Sequence, residues 1–207
     1  MRPEAVVFDI GNVLLHWDPE GYYDQQIGSE ARRRMFDETD ILAVNLAIDA
    51  GAPYRETIYD LADRHPDWAG MIRLWHDDQF GMLQPVIEAS VRLLRALRAR
   101  GVPVFALTNF GRESFAAACR HYQFLTEFDR HYVSGRLGVN KPDPRIYEIL
   151  ERDSGIAPGR LIFTDDRPEN IEVAEARGWL AHRFDGPEGW AARLVDEGLL
   201  TETEAGL

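Results

Sequence analysis

The sequence predicts an α/β fold, with a Rossmann-like parallel sheet, helices on both of its faces, and an all-helical cap domain inserted after the first strand. Short apolar runs alternate with amphipathic helical patterns, which is typical of a parallel sheet. Several of these runs stop at a polar residue, and parallel strands bring their carboxyl ends to one edge. Residues 16–84 keep helical spacing without a convincing strand.

Composition restricts the class of protein. The chain has 207 residues, of which 45% are hydrophobic and 28% charged, as in ordinary globular proteins. The net charge of -12 argues against a nucleic acid or an acidic membrane as partner. Cys119 is the single cysteine, which excludes an internal disulfide and a thiolate metal cluster. No apolar run approaches 18 residues, so we expect no signal peptide, no membrane span and a cytoplasmic location.

The first strand is expected to be central and buried on both faces, because the run from Ala5 to Phe8 is continuously apolar. Asp9 ends the run, and Gly11 follows at the position where open α/β sheets bind their ligands. Asp9 could act there as a nucleophile or a metal ligand. Taken alone, it could equally well cap a loop.

The remaining elements follow in order. Asp18 and Pro19 are typical of a helix start, and the helical insert continues to about residue 84. Gly101 closes the next helix, and Asp143 and Pro144 begin a later one. We predict helices over 86–100, 115–122, 143–150 and 170–177, and strands over 102–107, 131–134, 161–164 and 180–184. The core domain then comprises 1–15 and 85–207, the cap domain comprises 16–84, and the residues after 201 form a flexible tail.

Polar residues at the strand ends suggest a common site. Asp9, Thr108 and the pair Asp165 and Asp166 would project from the same sheet edge, and the loop of Lys141 could reach it. Three carboxylates and one ammonium leave a charge of -2, and the carboxylates repel one another unless a cation intervenes. Mg²⁺ suits such a site because it takes hard oxygen ligands.

Four motifs in order carry a resemblance to a known family. They are Phe8-Asp9-Ile10-Gly11-Asn12-Val13, Leu107-Thr108-Asn109, Asn140-Lys141-Pro142, and Phe163-Thr164-Asp165-Asp166 with Asn170 following. With a helical insert between the first two, the chain resembles the haloacid dehalogenase superfamily of hydrolases, subclass IA. The amino-acid sequences of its motifs are similar to those of a bacterial sugar-phosphate phosphatase subgroup, whose members include phosphatases of alpha-glucose 1-phosphate.

The resemblance implies a function and roles for these residues. Asp9 would attack phosphorus and form an aspartyl-phosphate that water then cleaves. Thr108 and the amide of Asn109 would hold phosphate oxygens at a helix amino terminus, and Lys141 would pair with the phosphate and with Asp9. The metal Mg²⁺ would be bound by Asp9, the carbonyl of Gly11, Asp166, and Asp165 directly or through water. The implied partner is a small phosphomonoester, since a helical cap excludes bulky substrates.

One departure bears on the mechanism. Most phosphatases of this superfamily carry a second Asp two residues after the nucleophile as general acid, and Gly11 stands there in this chain. General acid–base catalysis typically increases the reaction rate about 10²–10⁴-fold. We therefore expect a slow enzyme, a substrate with a good leaving group, or a replacement donor from the cap.

Two other interpretations stay open. In a 2-haloacid dehalogenase the same Asp would attack carbon without a metal, which would leave the pair of aspartates unexplained. The chain could also be a binding or regulatory module that lost catalysis through Gly11. Each motif alone has an ordinary structural explanation, such as a helix cap for Thr108 and Asn109. The presence of all four motifs in this order along the chain favours a phosphatase.

Overall fold

The computed structural model describes residues 2–207 and contains one sheet of five parallel strands. The strands are β1 (Ala5–Phe8), β2 (Val104–Thr108), β3 (Arg130–Val133), β4 (Leu161–Asp165) and β5 (Leu180–Arg183). Their order across the sheet is β3-β2-β1-β4-β5. The prediction of a parallel sheet flanked by helices is confirmed.

The central strand β1 positions the candidate site. Val6 pairs in parallel with Val104 on one side and with Ile162 on the other. Alternate residues of β1 pack into two separate apolar clusters, one on each face of the sheet. Because the strand order reverses direction at β1, the loops beyond its carboxyl end diverge and leave a crevice for ligands. Asp9 lies at that point.

Six helices occupy the predicted insert. They are α1 (Pro19–Ile27), α2 (Ser29–Thr39), α3 (Ile41–Asp49), α4 (Tyr54–Arg64), α5 (Ala69–Asp77) and α6 (Gln79–Met82). Tyr23, Met35 and Trp75 are fully buried in an apolar cluster that belongs to these helices. They therefore pack as a cap around a core of their own, while the exact limits of the cap as a domain stay a prediction.

The helices of the core surround the sheet. They are α7 (Glu88–Ala99), α8 (Arg112–His121), α9 (Ser134–Leu137), α10 (Pro144–Ser154), α11 (Pro168–Ala176), α12 (Pro187–Asp196) and α13 (Glu202–Ala205), with 3₁₀ turns at Gln123–Glu127 and Pro158–Arg160. The Asp143 side chain accepts a hydrogen bond from the Arg145 main-chain N–H at 2.9 Å, as expected for the cap of α10. Within residues 2–207, no helix combines the length and apolar character needed to cross a bilayer.

Several segments differ from the sequence prediction. Helix α10 continues to Ser154, four residues beyond its predicted end, and the helices α9 and α12 were not predicted. Helix α8 begins at Arg112, three residues before the predicted start, because its first turn is polar and carries no apolar periodicity. The residues after 201, expected to be flexible, form α13 instead. Thr201 and Glu204 make a reciprocal capping box, and Glu204 pairs with Arg100 at 2.8 Å. Polar contacts hold this short helix in place, so hydrophobic spacing could not reveal it.

Candidate active site

A buried ion pair between Lys141 and Asp9 forms the centre of the site. The Asp9 main-chain N–H donates to Thr164 O at 3.0 Å, which fixes the residue against β4. Lys141 Nζ lies 2.9 Å from Asp9 Oδ1 and donates to Asp165 Oδ2 at 2.6 Å and to Leu107 O at 2.8 Å. An ammonium has three protons, so each one has a partner. The lysine side chain is only 1% exposed and is held in one position.

The charges of this cluster do not balance. Three carboxylates, Asp9, Asp165 and Asp166, face the single ammonium of Lys141. Burial raises the pKa of Asp9 to about 7; the other two carboxylates add to the rise, while Lys141 opposes it. Burial also raises the pKa of Asp166. Burial alone would lower the pKa of Lys141, but the fields of Asp165 and Asp9 outweigh it and raise that pKa.

The two adjacent aspartates have different surroundings. Asp165 is fully buried, and its oxygens accept hydrogen bonds from Lys141 Nζ, from Asn170 Nδ2 at 2.9 Å, and from the Arg167 main-chain N–H at 2.9 Å. Asp166 is partly exposed at the wall of the cavity, whereas Asp165 lies behind that wall. Asp166 therefore presents the more accessible carboxylate, and Asp165 anchors the lysine.

Asn12 belongs to the first of the four motifs, but the sequence predicted no role for its side chain. Its Nδ2 donates to Asp166 Oδ2 at 3.1 Å, and its Oδ1 accepts from the Trp17 main-chain N–H at 3.0 Å. Its φ of 55° lies in the left-handed region, which Asn tolerates better than most residues. The turn after β1 thus brings an amide against Asp166, the more accessible of the two adjacent aspartates.

The predicted phosphate-binding residues lie at the end of β2. Thr108 is 1% exposed and lines the cavity beside Asn109. The Asn109 side chain is engaged elsewhere, because its Nδ2 donates to Lys141 O at 2.9 Å and its Oδ1 accepts from Lys141 N at 2.7 Å. Thr108 is the last residue of β2, and Asn109 lies in the loop that follows. Since α8 starts at Arg112, neither residue is in the first turn of that helix. Their binding of phosphate stays a prediction.

Lys141 carries a sequence signal that the motif reading did not use. It is the only lysine of the chain, in which Lys and Arg together number 23. Elsewhere the protein uses arginine for its positive charges. A compact ammonium fits a site where one cation must contact two carboxylates and a carbonyl, whereas a planar guanidinium would not.

A cavity of about 420 Å³ opens above these groups, within the range of small-molecule sites. Its apolar wall is formed by Trp17, Leu42, Leu46, Leu83 and Phe110. Leu42 and Leu46 belong to α3 of the cap and are 46% and 51% exposed. The cap and the sheet edge therefore enclose one space that is charged at its floor and largely apolar at its walls.

Asp49, at the end of α3, lines the same cavity and was not predicted. Burial raises its pKa to about 7; the Gly111 main-chain N–H and Asn45 oppose the rise, and Asp9 adds to it. No local motif marks this aspartate in the sequence. Only the packing of the cap on the core reveals its place.

The donor set at the sheet edge fits a hard divalent cation. One oxygen from each of Asp9, Asp165 and Asp166 lies within 4.8 Å of the others. Gly11 lines the same cavity, so its carbonyl is a candidate fourth oxygen donor. Oxygen ligands and an excess charge of -2 suit Mg²⁺. Chemically, the arrangement places the Asp9 carboxylate, a candidate nucleophile, at a candidate cation site.

Comparisons of sequence agree with this geometry. The family model for haloacid dehalogenase-like hydrolases matches residues 3–178. A sesquiterpene phosphatase of Aspergillus oryzae is 28% identical over 176 residues, which covers 84% of this chain and 86% of the relative. A D-ribitol-5-phosphate phosphatase of Bacteroides thetaiotaomicron is 23% identical over 206 residues, which covers 92% of this chain and 96% of the relative.

Solved structures share the fold. A haloacid dehalogenase family enzyme of Bacteroides thetaiotaomicron, solved with magnesium and inorganic phosphate, superposes with a TM-score of 0.70 at 20% identity, over 89% of this chain and 95% of that one. The L-2-haloacid dehalogenase of Xanthobacter autotrophicus gives a TM-score of 0.63 at 18% identity, over 98% and 86% of the two chains. Because the family model spans most of the sequence, the protein belongs to the haloacid dehalogenase-like hydrolases and is an enzyme of that family.

Proposed function

We propose that this enzyme is a Mg²⁺-dependent phosphatase that hydrolyses small phosphomonoesters through an aspartyl-phosphate on Asp9. The observation that carries the proposal is the buried contact of Lys141 Nζ with Asp9 Oδ1 at 2.9 Å, beside two further carboxylates at the sheet edge. Phosphoryl transfer needs a positioned nucleophile and neutralised charge more than any other contribution. This edge of the sheet offers both.

The chain's own residues have defined roles in the proposal. A carboxylate oxygen of Asp9 attacks phosphorus, and Lys141 holds that carboxylate in orientation. Thr108 and the main-chain amide of Asn109 bind the phosphoryl oxygens. Water then hydrolyses the aspartyl-phosphate and regenerates Asp9.

The metal would be held by Asp9, Asp166 and the Gly11 carbonyl, with Asp165 contributing through water. When bound, Mg²⁺ supplies charge neutralisation for the phosphoryl group. Asp165 is assigned the indirect position because each of its oxygens already accepts two hydrogen bonds.

We infer the substrate class from the size of the cavity. A volume of about 420 Å³ beneath the cap accommodates a metabolite and not a folded protein. The relatives named for D-ribitol 5-phosphate and for sesquiterpenes both act on small molecules. We place sugar phosphates of the alpha-glucose 1-phosphate type, from the subclass IA subgroup the motifs resemble, among the first substrates to examine.

The alternative of a 2-haloacid dehalogenase is less favoured by the site. Attack on carbon requires no metal, yet Asp166 lies with its carboxylate against the cavity beside Asp9. A metal-free mechanism gives no function to the negative charge that these carboxylates bring together.

A phosphate-release assay tests the proposal. The wild-type protein is incubated with a panel of sugar, polyol, aryl and terpenyl phosphates in Mg²⁺ or in EDTA, and Asp9→Asn is compared with Asp37→Asn, an exposed aspartate of α2. We expect release that requires Mg²⁺, is abolished in Asp9→Asn and persists in Asp37→Asn. Chloride release from 2-chloropropionate in EDTA, without phosphate release, would establish the dehalogenase instead. No release of phosphate or chloride from any substrate would favour a binding module.

A further inference from the structure

The proposed phosphatase has no obvious proton donor for its leaving group. Gly11 stands two residues after the nucleophile, and a Cβ built there would meet nothing closer than Trp17 Cβ at 3.9 Å. The space at this position is therefore open. A proton for the departing alkoxide has to come from another part of the cavity.

Six ionisable side chains line the cavity: Asp9, Asp49, Tyr54, Lys141, Asp166 and Arg167. Asp9, Lys141 and Asp166 already have roles at the sheet edge. A guanidinium does not release its proton in proteins, which removes Arg167. The Tyr54 hydroxyl donates to the Trp75 main-chain oxygen, and burial raises its pKa. Asp49 is the ionisable group that remains.

Helix α3 places Asp49 over the site by packing against the core. Asn140 Nδ2, next to Lys141, donates to Leu46 O at 2.9 Å. The Ile48 side chain lies so close to Gly111 that a Cβ built there would meet it at 2.7 Å. The end of α3 is thus fixed against the loops that carry the predicted phosphate-binding residues and the lysine.

A chain of side chains orients the carboxyl group. Asn45 Nδ2 donates to Asp49 Oδ2 at 2.9 Å, and Asn45 Oδ1 accepts from Trp75 Nε1 at 3.0 Å. Trp75 is fully buried in the cap. Because the indole fixes which end of the Asn45 amide faces Asp49, one carboxyl oxygen is held by a neutral donor.

The surroundings of Asp49 let both of its protonation states form near neutral pH. Burial raises its pKa to about 7, and the charge of Asp9 on β1 adds to this. From the other elements, Tyr54 of α4 faces it as a neutral phenol, and the Gly111 main-chain N–H before α8 and the Asn45 amide lower its pKa. A general acid works best when its pKa lies near the working pH.

We propose that Asp49 is the catalytic acid and base of this phosphatase, in place of the carboxyl group absent at Gly11. As an Asp9 oxygen bonds to phosphorus, the bond to the ester oxygen breaks with its electron pair, and that oxygen takes the proton of Asp49. The Asp49 carboxylate then takes a proton from water as the water oxygen bonds to phosphorus. The bond between phosphorus and Asp9 breaks, with its electrons returning to Asp9. This inference rests on the proposed phosphatase activity.

The test varies the leaving group. Asp49→Asn is compared with wild type on the alkyl phosphate that wild type hydrolyses fastest and on 4-nitrophenyl phosphate, whose leaving group needs no proton. We expect kcat/KM to fall about 10²–10⁴-fold for the alkyl ester and less than about tenfold for the aryl ester. Rapid mixing of Asp49→Asn with the aryl ester should give a burst of nitrophenol. Without a general base to activate water, hydrolysis of the aspartyl-phosphate becomes slower than its formation. In the wild type, alkyl-ester kcat/KM should fall above neutral pH as Asp49 loses its proton, and this fall should be absent from the variant.

Asp40→Asn is the matched control, since Asp40 is exposed at the start of the same helix and Asn tolerates its φ of 52°. A purely structural role for Asp49 predicts equal losses with both esters, because a structural defect does not depend on the leaving group. Equal losses, or no loss, in Asp49→Asn would overturn the inference while the phosphatase proposal stands. A wild-type protein inactive on all esters would remove the phosphatase proposal itself, and this inference with it.

Discussion

Lys141 contacts Asp9 and Asp165 with one ammonium, at 2.9 Å and 2.6 Å, and both carboxylates are buried. The lysine thus joins the carboxyl end of β1 to that of β4. A buried charge of this kind is costly unless it is paired, so the three side chains depend on one another. Their interdependence leads to the first two predictions.

Lys141 should be chemically inaccessible in the folded enzyme. Its side chain is 1% exposed, and it is the only lysine of the chain, so it is the only side-chain amine that an amine-acetylating reagent can modify. We expect mass spectrometry to show Lys141 unmodified in native protein and acetylated in urea. Rapid acetylation of Lys141 in native protein would contradict its burial.

Neutralising the two neighbouring aspartates should have different effects on stability. Asp165→Asn breaks a buried pair and puts an amide where three donors converge, which should lower the free energy of unfolding by about 3 kcal/mol. Asp166→Asn leaves Lys141 paired and removes a carboxylate whose pKa is raised by burial, so stability should be equal or higher at pH 8. Urea unfolding in EDTA measures both. Equal losses in the two variants would refute the different roles assigned to them.

Asn12 should affect the use of metal more than the chemistry itself. Asn12→Gly and Asn12→Ala both lose the hydrogen bond to Asp166, so we expect each to need more Mg²⁺ for half-maximal phosphate release. Only Ala strains the left-handed backbone at φ 55°, which should make it about 1 kcal/mol less stable than Gly. A Mg²⁺ titration and urea unfolding separate the two effects. An unchanged Mg²⁺ requirement in both variants would exclude a positioning role.

The raised pKa of Asp49 should make stability depend on pH. Its carboxyl group binds a proton more tightly in the folded protein than in the unfolded chain, so from about pH 4 to pH 7 its contribution to the free energy of unfolding falls as pH rises. Asn cannot titrate. The stability of Asp49→Asn relative to wild type should therefore increase from pH 4 to pH 8, by on the order of 2–4 kcal/mol.

Urea unfolding at several pH values measures this difference, with Asp40→Asn as the charge-matched reference. A difference between Asp49→Asn and wild type that does not change with pH would contradict the raised pKa.

The sheet and its edge could be predicted from sequence because both follow from local patterns. The apolar run before Asp9 and the Asp–Pro start of α10 each identify an element without reference to the rest of the chain. Parallel strands then place their terminal residues together, which is why Lys141 and Asp9 could be expected to meet.

The contribution of the cap could not be predicted in the same way. Asp49 follows an ordinary helical run, and its place over the site depends on Asn140 contacting Leu46 and on Ile48 packing at Gly111. These contacts join segments far apart in the chain. Likewise, the division of roles between Asp165 and Asp166 depends on which side chain turns toward Asn170, and no spacing rule specifies that.

Helix α3 carries Leu46 and Asp49 on one rigid segment, so the residue that shields the cavity moves together with the one we assign to proton transfer. Any swing of the cap that releases the product would withdraw both at once. During turnover the enzyme would then alternate between a closed form that reacts and an open form that exchanges product for substrate. The rate of turnover should depend on solvent viscosity if this motion of the cap is the slowest step.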